Sequence, residues 1–254
     1  MASLQILSGK RILVTGAARG LGRDFAQAAA EAGAIVVMAD ILADLVQEEA
    51  EKLASIGLNT SAVRIDLSQK KSIQQAVQIA VSMLGGLDGL INCAALATGV
   101  GGVNMMEYDE TLWDSVMTVN VKGTWLVSQA CVPHLKASGQ GKIINISSDT
   151  ALWGAPKLMA YVASKGAILS MTRSMASELG ADNTCVNTIS PGLTLVEATE
   201  YVPQSRHDLY VNGRAIQRQQ LPQDVNGTAI YLLSDMSSFV TGQNIPVNGG
   251  FVFN

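Results

Sequence analysis

The 254-residue chain has few of the residues that make cross-links and metal sites. It has 3 cysteines, Cys93, Cys131 and Cys185, which are odd in number, far apart and flanked by apolar residues. This spacing is typical of buried, reduced thiols and not of a disulfide framework. Because there are only 2 histidines and no Cys or His pair at ligand spacing, we expect no metal site.

Charged residues are also sparse, at 15% of the chain, and acidic ones are in excess. The net charge of −4 argues against a nucleic-acid partner, which would need a basic face to neutralise phosphates. No apolar run is long enough to span a bilayer, and residues 1–10 lack the basic and apolar parts of a secretion signal. We therefore expect a cytoplasmic protein with neither a membrane nor a nucleic acid as partner.

Apolar residues, by contrast, make up 48% of the chain and recur in a regular order. Short β-branched runs alternate with amphipathic helical stretches, and several runs are apolar on both faces, as in parallel strands covered by helices. Strands are predicted at residues 11–14, 35–39, 62–65, 89–91, 142–146, 185–189 and 244–247. The pattern predicts an α/β fold, with a doubly wound, mainly parallel seven-stranded sheet of Rossmann type in a single domain over residues 1–254.

One segment, residues 193–220, departs from this alternation because it is long and rich in polar residues. Long excursions from a compact domain are usually lids, binding loops or disordered segments. This one leaves the carboxyl end of a predicted strand, where ligands bind in open α/β sheets. We expect it to be a substrate lid.

A glycine-rich turn follows the first predicted strand and reads Thr-Gly-Ala-Ala-Arg-Gly-Leu-Gly over residues 15–22. Glycines let backbone N–H groups approach a pyrophosphate at a helix N-terminus, although ordinary tight turns need glycine too. The second strand ends in Asp40, twenty residues past Gly20, where a carboxylate can bind the adenosine ribose. Asp40 would repel the extra phosphate of NADP, whereas Arg19 could hold it. We expect Asp40 to dominate and the cofactor to be NAD.

Tyr161 and Lys165 lie four residues apart on a predicted helix, so both side chains project from one face. An unperturbed Tyr titrates near pH ~10, and a nearby ammonium lowers that pKa. The pair is therefore a candidate general acid/base for the hydroxyl proton of an alcohol. Such a pair also occurs by chance on surface helices, but here Ser148 follows a predicted strand thirteen residues upstream of Tyr161.

Asn120 interrupts the apolar stripe of the helix that contains Trp113, Val116 and Cys131. A buried Asn needs partners for both its amide N–H groups and its carbonyl oxygen. Either the backbone supplies them, or Asn120 anchors a water or a catalytic side chain.

Together these residues resemble the single-domain branch of the short-chain dehydrogenase/reductase family, over nearly the whole chain. The resemblance implies a catalytic tetrad of Asn120, Ser148, Tyr161 and Lys165. It implies that the cofactor is bound by Gly16, Arg19, Gly20, Leu21, Gly22, Asp40, Asp66, Leu67, Asn92, Ala94, Tyr161, Lys165, Pro191, Gly192 and Thr194. Residues 241–243 and 247–250 resemble the C-terminal signature of the family.

Two departures from the family pattern affect cofactor binding. Residues 92–95 read Asn-Cys-Ala-Ala where the family commonly has Asn-Asn-Ala-Gly, so the turn near the nicotinamide ribose is expected to differ slightly. The threonine often found beyond Pro-Gly falls at Val196, and Thr194 is the candidate to replace it.

The mechanism implied by the resemblance is proton and hydride transfer at a carbinol carbon. Ser148 would hold the substrate oxygen, and Tyr161 would take the hydroxyl proton while the hydride passes to the nicotinamide. Lys165 would bind the ribose and lower the pKa of Tyr161. Asn120 would hold a water that links Lys165 to solvent.

The sequence says less about the substrate, which we expect to contact Ser148, Thr150, Trp153 and Tyr161. Further pocket candidates are Leu96, Asp149, Leu193, Tyr201 and Tyr210. Trp153 could wall an apolar pocket, or could equally be an interface or core residue. Four basic lid residues form either a solvated helix face, the default, or a site for an anionic substrate: Arg206, His207, Arg214 and Arg218.

The favoured interpretation is an NAD(H)-dependent oxidoreductase of a secondary alcohol or its ketone. The alternatives are an NADPH-dependent biosynthetic carbonyl reductase and a nucleotide-binding regulator that has lost the chemistry. The resemblance also implies a homotetramer with helix–helix interfaces. The small residues of the predicted helix over 160–180 and the apolar residues 251–253 would suit burial at such an interface.

Overall fold

The computed structural model describes residues 5–253, so the first four residues examined for a secretion signal lie outside the described part. Seven parallel strands form one sheet in the order β3-β2-β1-β4-β5-β6-β7. They are β1 (Arg11–Thr15), β2 (Ile35–Asp40), β3 (Thr60–Arg64), β4 (Gly89–Asn92), β5 (Lys142–Ile146), β6 (Cys185–Pro191) and β7 (Asn244–Val247). The predicted doubly wound, parallel seven-stranded sheet is confirmed.

Helices follow the strands in the predicted alternation. They are α1 (Gly20–Glu31), α2 (Ala43–Ser55), α3 (Lys70–Leu84), α4 (Glu110–Val116), α5 (Thr124–Ser138), α6 (Thr150–Trp153), α7 (Met159–Leu179), α8 (Gln204–Gly213) and α9 (Gln223–Leu233). A π-helical segment, Met117–Gly123, joins α4 to α5. No helix within residues 5–253 has the length and hydropathy of a membrane span.

The sheet lies between two apolar cores, one on each face. On β1, Ile12 and Val14 face the core that contains Phe25 of α1, whereas Leu13 faces the core that contains Ile73 of α3. Burial on both sides explains why strands such as β1 and β2 carry apolar residues at consecutive positions, because alternate side chains enter one of the two cores.

The topology reverses at β1, which pairs with β2 on one side and β4 on the other. Successive chain segments leave the sheet in opposite directions there, and this opens a crevice at the carboxyl ends of the strands. The glycine-rich turn, the Ser148 loop and the segment after β6 all leave the sheet at that edge. The predicted lid leaves β6 and contains α8.

Candidate active site

Ser148 lies immediately beyond β5 and is nearly buried, with 8% of its surface exposed. Its Oγ accepts hydrogen bonds from the backbone N–H of Thr150 at 3.2 Å and the Thr150 hydroxyl at 2.9 Å. Burial raises the pKa of Tyr161, and a further hydrogen bond, which joins Ser148 to that phenol, opposes this shift in part. The serine hydroxyl is thus held in place beside the tyrosine hydroxyl.

Tyr161 and Lys165 are on the first turns of α7, and their side chains face the same crevice. The Lys165 ammonium is 5.6 Å from the centre of the Tyr161 ring and donates to the carbonyl of Ile146 at 2.8 Å. Ile146 is the last residue of β5, so this bond ties the lysine to the edge that also carries Ser148. The predicted one-face arrangement of the pair agrees with this geometry.

Burial shifts the pKa of both groups. It lowers the pKa of Lys165 to about 8, and it raises the pKa of Tyr161 against the opposing hydrogen bond from Ser148. The sequence-based expectation was a lowered Tyr161 pKa. The direction differs because loss of hydration disfavours the phenolate more than the hydrogen bond from Ser148 favours it.

Asn120 lies in the π-helical segment with 1% of its surface exposed. Its Oδ1 accepts from the backbone N–H of Leu96 at 2.7 Å, and its Nδ2 donates to the Leu96 carbonyl at 3.2 Å and the Ser164 hydroxyl at 3.1 Å. The Leu96 backbone and the Ser164 hydroxyl therefore satisfy this side chain, while its role in holding a water stays a prediction. Its bonds join the β4 loop to α7 one residue before Lys165, which makes Asn120 a support for the lysine's helix.

A row of polar side chains crosses the sheet behind this site. Asn92 on β4 donates to Asn145 on β5 at 2.9 Å, and Asn145 donates to Thr172 of α7 at 2.9 Å. Thr188 on β6 donates to the same Thr172 hydroxyl at 2.8 Å. Asn92 was predicted to contact the cofactor, but its side chain points into this row and also bonds Ser128.

The glycine-rich turn packs tightly against its surroundings. A Cβ atom on Gly22 would lie 2.1 Å from the Gly16 carbonyl oxygen, and one on Gly16 would lie 2.6 Å from the Cα of Ala94. The Thr15 hydroxyl accepts from the backbone N–H groups of Cys93 and Ala94 at 3.2 and 3.3 Å. The end of β1 and the β4 loop are thereby held together, and Leu21 of α1 packs into the adjoining core.

An acidic side chain contacts the N-terminus of α1. A carboxylate oxygen of Glu197, on the lid, accepts from the Gly20 backbone N–H at 3.2 Å. The next lid residue back, Val196, lies against Gly20 as well. A helix N-terminus favours anions, and here the Glu197 carboxylate stands where a dinucleotide phosphate would bind. The site therefore fits the diphosphate of a nicotinamide cofactor.

Asp40, at the end of β2, has 9% of its surface exposed. Its Oδ2 accepts from the Ala18 backbone N–H at 3.0 Å, and its Oδ1 accepts from Leu42 N–H at 3.1 Å. The carboxylate is thus fixed beside the glycine-rich turn, and its binding of the ribose stays a prediction. Arg19 is exposed at the start of α1, and the described part of the chain has no ion pair for it.

The remaining residues that were predicted to bind the cofactor lie at or just after the ends of β3 and β6. Asp66 follows β3 and accepts from the backbone and hydroxyl of Ser68, while Leu67 is buried. Pro191 and Gly192 lie at the end of β6. Thr194 is 3% exposed and its hydroxyl donates to the Gly192 carbonyl, so it is engaged with the turn itself.

The lid bridges to the opposite wall of the crevice. The Tyr201 hydroxyl donates to the carbonyl of Ala97 at 2.7 Å, joining the lid to the β4 loop next to Leu96. Leu193 begins the lid, and its carbonyl accepts from Arg214. Trp153, on α6, stands at the edge of a ring cluster with Tyr210 and Phe251. Thr150 touches Ser148, as described above.

The four basic lid residues do not form one patch. Arg214 is 3% exposed and donates to Leu193, Arg218 and Gln220, and Arg218 pairs with Asp224 at 2.6 Å. His207 lines a separate cavity beside Glu197. Two of them lie at pocket candidates: Arg206, whose guanidinium is 5.6 Å from the Trp153 ring, and the buried Arg214, which is 5.1 Å from the Tyr210 ring.

Sequence reasoning missed two residues of the site. Glu197 was not considered because a lone Glu in a polar segment carries no signal of its own. Thr199 was missed too, although its hydroxyl bonds the backbone of Thr194 and Val196 and shapes the turn that presents Glu197. Only the contact between segments reveals either role.

Comparisons with known proteins agree with this geometry. A family model described as enoyl-(acyl carrier protein) reductase matches residues 16–252. A 3-oxoacyl-(acyl-carrier-protein) reductase of Thermotoga maritima is 32% identical over 97% of this chain and 99% of its own length. A 3-alpha-(or 20-beta)-hydroxysteroid dehydrogenase of Mycobacterium bovis is 37% identical over 97% of this chain and 90% of its own.

A solved structure is similar to this chain over nearly its whole length. A gluconate 5-dehydrogenase from Burkholderia cenocepacia, in complex with NADP and tartrate, superimposes with a TM-score of 0.92 at 28% identity, covering 98% of both chains.

Proposed function

Because the chain belongs to the short-chain dehydrogenase/reductase family, whose members here act on CH–OH groups with NAD(P), we propose that it is an NAD(H)-dependent dehydrogenase. Its substrate would be a secondary alcohol or the corresponding ketone. The observation that carries the proposal is the convergence of Ser148, Tyr161 and Lys165 at one edge of the sheet, beside the glycine-rich turn. When bound, the nicotinamide ring would accept or supply the hydride.

The chain's own residues divide the remaining work. Ser148 would donate to the substrate oxygen, because its hydroxyl is already fixed beside Tyr161. Tyr161 would pass the proton to a ketone or take it from an alcohol. Lys165 would hold the nicotinamide ribose and add positive charge beside the phenol, while Asn120 would keep α7 in register with the β4 loop.

The test is a panel of secondary alcohols, cyclic diols and sugar-like polyols, gluconate among them, with NAD+ and with NADP+. Formation of the reduced cofactor with any of them supports the proposal. If NADH binds but neither this panel nor the matching ketones turn over, the chain is a nucleotide-binding regulator instead.

For cofactor choice, we expect NAD+ to exceed NADP+ in kcat/KM by roughly a hundredfold, because the fixed Asp40 carboxylate repels an added phosphate. Asp40→Asn keeps an oxygen for the Ala18 N–H but removes the charge. This change should narrow the preference by roughly tenfold. Asp44→Asn, on exposed α2, is the matched control and should leave it unchanged.

The NADPH alternative has two observations in its favour. Arg19 is exposed beside the site, and the gluconate 5-dehydrogenase structure contains NADP. If wild-type protein prefers NADP+ and Arg19→Ala removes that preference, the NADPH-dependent reductase replaces the NAD-dependent dehydrogenase.

Glu197 should weaken cofactor binding. Its carboxylate holds the Gly20 N–H and would have to leave before a diphosphate could take that place. We expect Glu197→Gln to lower the Kd for NADH roughly fivefold, measured by cofactor fluorescence. Adenosine, which lacks phosphates, should bind both proteins equally. Glu200→Gln is the matched control in the same lid; an equal gain in that variant would point to a general charge effect.

Substrate charge is a separate question. Relatives of this chain act on substrates as different as a hydroxysteroid and gluconate. Arg206 lies beside Trp153, whereas Arg214 is buried and its guanidinium already donates to Leu193 and Gln220, so Arg206 would be the residue to bind a carboxylate. A preference for gluconate within the panel would favour an anionic substrate.

We also propose a cytoplasmic homotetramer built from single-domain subunits. Several large apolar side chains are exposed, among them Trp125 at 46% and Phe239 at 104%. Residues 251–253 differ in their exposure: Phe251 packs against Tyr210 of the same chain, whereas Phe253 is 80% exposed. Sedimentation at micromolar concentration separates a tetramer from a monomer.

A further inference from the structure

A carboxyl group is buried one residue after the catalytic serine. Asp149 has no exposed surface, and its Oδ1 accepts the Tyr210 hydroxyl at 2.7 Å. Its Oδ2 makes no hydrogen bond of good geometry in the described part of the chain. Burying a carboxyl group is costly, and the Tyr210 hydroxyl is the largest offset, followed by the charge of Arg214 and by weaker hydrogen bonds from Asn248 and the Thr150 backbone.

Tyr210 links that carboxyl to the lid. It is on α8, 2% exposed, and its hydroxyl also accepts the indole N–H of Trp153 at 3.3 Å. Two hydrogen bonds therefore connect Trp153 to Tyr210 and Tyr210 to Asp149, and the last two residues are 61 positions apart in the sequence. One hydroxyl orients both the indole and the lid helix.

The Tyr210 ring packs against an aromatic ring and a guanidinium group. Phe251 stacks on it at 4.3 Å between centroids, and the Arg214 guanidinium lies 5.1 Å from its centre on the lid side. Gly213, at the end of α8, makes room for Phe251, because a Cβ atom there would lie 2.7 Å from the phenyl ring. The position of Tyr210 is thus set by packing, which leaves its hydroxyl to set the position of its neighbours.

We propose that Asp149 and Tyr210 are positioning residues that dock α8 against the catalytic serine loop and fix the Trp153 indole as a wall of the substrate cleft. The inference rests on the proposed function for the existence of that cleft. It assigns the buried carboxyl a role in substrate binding that is separate from proton transfer by Tyr161.

The network should respond to pH. Burial raises the pKa of Asp149 to about 6, against the hydrogen bond from Tyr210 and the charge of Arg214. A carboxylate accepts a hydrogen bond more strongly than a neutral carboxyl group does. As pH falls through about 6, Asp149 gains a proton, its hold on Tyr210 weakens, and the Trp153 wall loosens.

Other groups that face the network must be separated from Asp149. Arg206 and Arg214 of the lid face the network with guanidinium groups, a type of group that is not deprotonated in proteins. Tyr161 of α7 keeps its proton across this pH range, because burial raises its pKa. Asn248, beyond β7, does not titrate. His207 on α8 belongs to the residue type that titrates between about pH 5 and pH 8, so it needs a control variant.

The first readout needs no substrate. With Trp113 and Trp125 replaced by Phe, acrylamide quenching of fluorescence reports the exposure of Trp153 alone. In this background we expect quenching to rise roughly twofold as pH falls from about 7.5 to about 5, with a midpoint near 6. Asp149→Asn and Tyr210→Phe should abolish the transition, and His207→Gln and Tyr231→Phe should retain it.

The second readout is kinetic, with NADH and ethyl acetoacetate as the ketone probe. Tyr210→Phe should raise the KM for the ketone roughly tenfold while kcat and the Kd for NADH stay within about twofold. If Tyr210→Phe does not fold, because it strands the Asp149 charge, Asp149→Asn combined with Tyr210→Phe removes charge and hydroxyl together and carries the same expectation.

The results distinguish this inference from the proposed function. A pH transition that survives Asp149→Asn, or disappears in His207→Gln, overturns the inference, as does an unchanged KM in Tyr210→Phe. Absence of hydride transfer in wild-type protein would instead refute the proposed function, and the fluorescence of Trp153 would still decide whether Asp149 controls the lid.

Discussion

Tyr161→Phe is expected to lower kcat by a factor of roughly 10² to 10⁴, the usual contribution of a positioned general acid/base. The substitution removes only the hydroxyl group, which is hydrogen-bonded to Ser148. Because the ring and the Lys165 ammonium beside it remain, the Kd for NADH should not change. Stopped-flow turnover and cofactor fluorescence measure the two quantities separately.

The same phenol fixes the expected pH dependence. Burial holds the pKa of Tyr161 above its ordinary value, so at neutral pH the phenol carries the proton that a ketone requires. Oxidation of an alcohol requires the opposite state and should accelerate as pH rises, whereas ketone reduction should not. Tyr231→Phe on α9 is the control. A Tyr161→Phe variant that kept more than a tenth of the wild-type kcat would refute the assignment.

Gly22→Ala is expected to have the largest effect on stability. The new Cβ would lie 2.1 Å from the Gly16 carbonyl oxygen, and that oxygen belongs to the backbone of the glycine-rich turn. Backbone atoms cannot swing aside as the end of a side chain can, so the turn and α1 must separate. We expect a loss of about 3 kcal/mol or more in the free energy of unfolding, together with loss of NADH binding.

A matched glycine tests whether the effect comes from that contact. Gly227 on α9 has nothing within 4 Å of the position its Cβ would take. Alanine is the better helix former, so Gly227→Ala should raise the free energy of unfolding by about 0.5–1 kcal/mol. Urea unfolding of both variants at one protein concentration makes the comparison. Equal stability of the two would show that the turn tolerates a side chain.

Local patterns in the sequence are enough to predict the sheet. Each predicted strand overlaps an observed one, and the largest differences at a boundary are two residues: β3 begins at Thr60 and not at residue 62, and β6 ends at Pro191 and not at residue 189. Strands buried on both faces carry that information in their own residues. The pairing of Tyr161 with Lys165 was equally local, because helical geometry alone places them on one face.

Contacts between distant segments could not be predicted in this way. Asp149 was expected to line the pocket, but its carboxyl turns toward Tyr210, which lies 61 residues away in sequence. The Glu197 carboxylate meets Gly20 across 177 residues. A pKa also depends on the whole surroundings of a group, which is why the shift of Tyr161 was predicted with the wrong direction.

The polar row behind the active site determines how the strands align. Asn92 is the register partner of Asn145, and Asn145 is the register partner of Thr188. If one strand slid by two residues along its neighbour, each side chain would stay on the same face of the sheet. Burial of apolar side chains alone therefore hardly distinguishes the observed register from a shifted one. Sliding would strand the amides, at about 1–3 kcal/mol for each unpaired group. The polar row thus favours the observed register of β4, β5 and β6, and this register fixes the position of Ser148 at the end of β5.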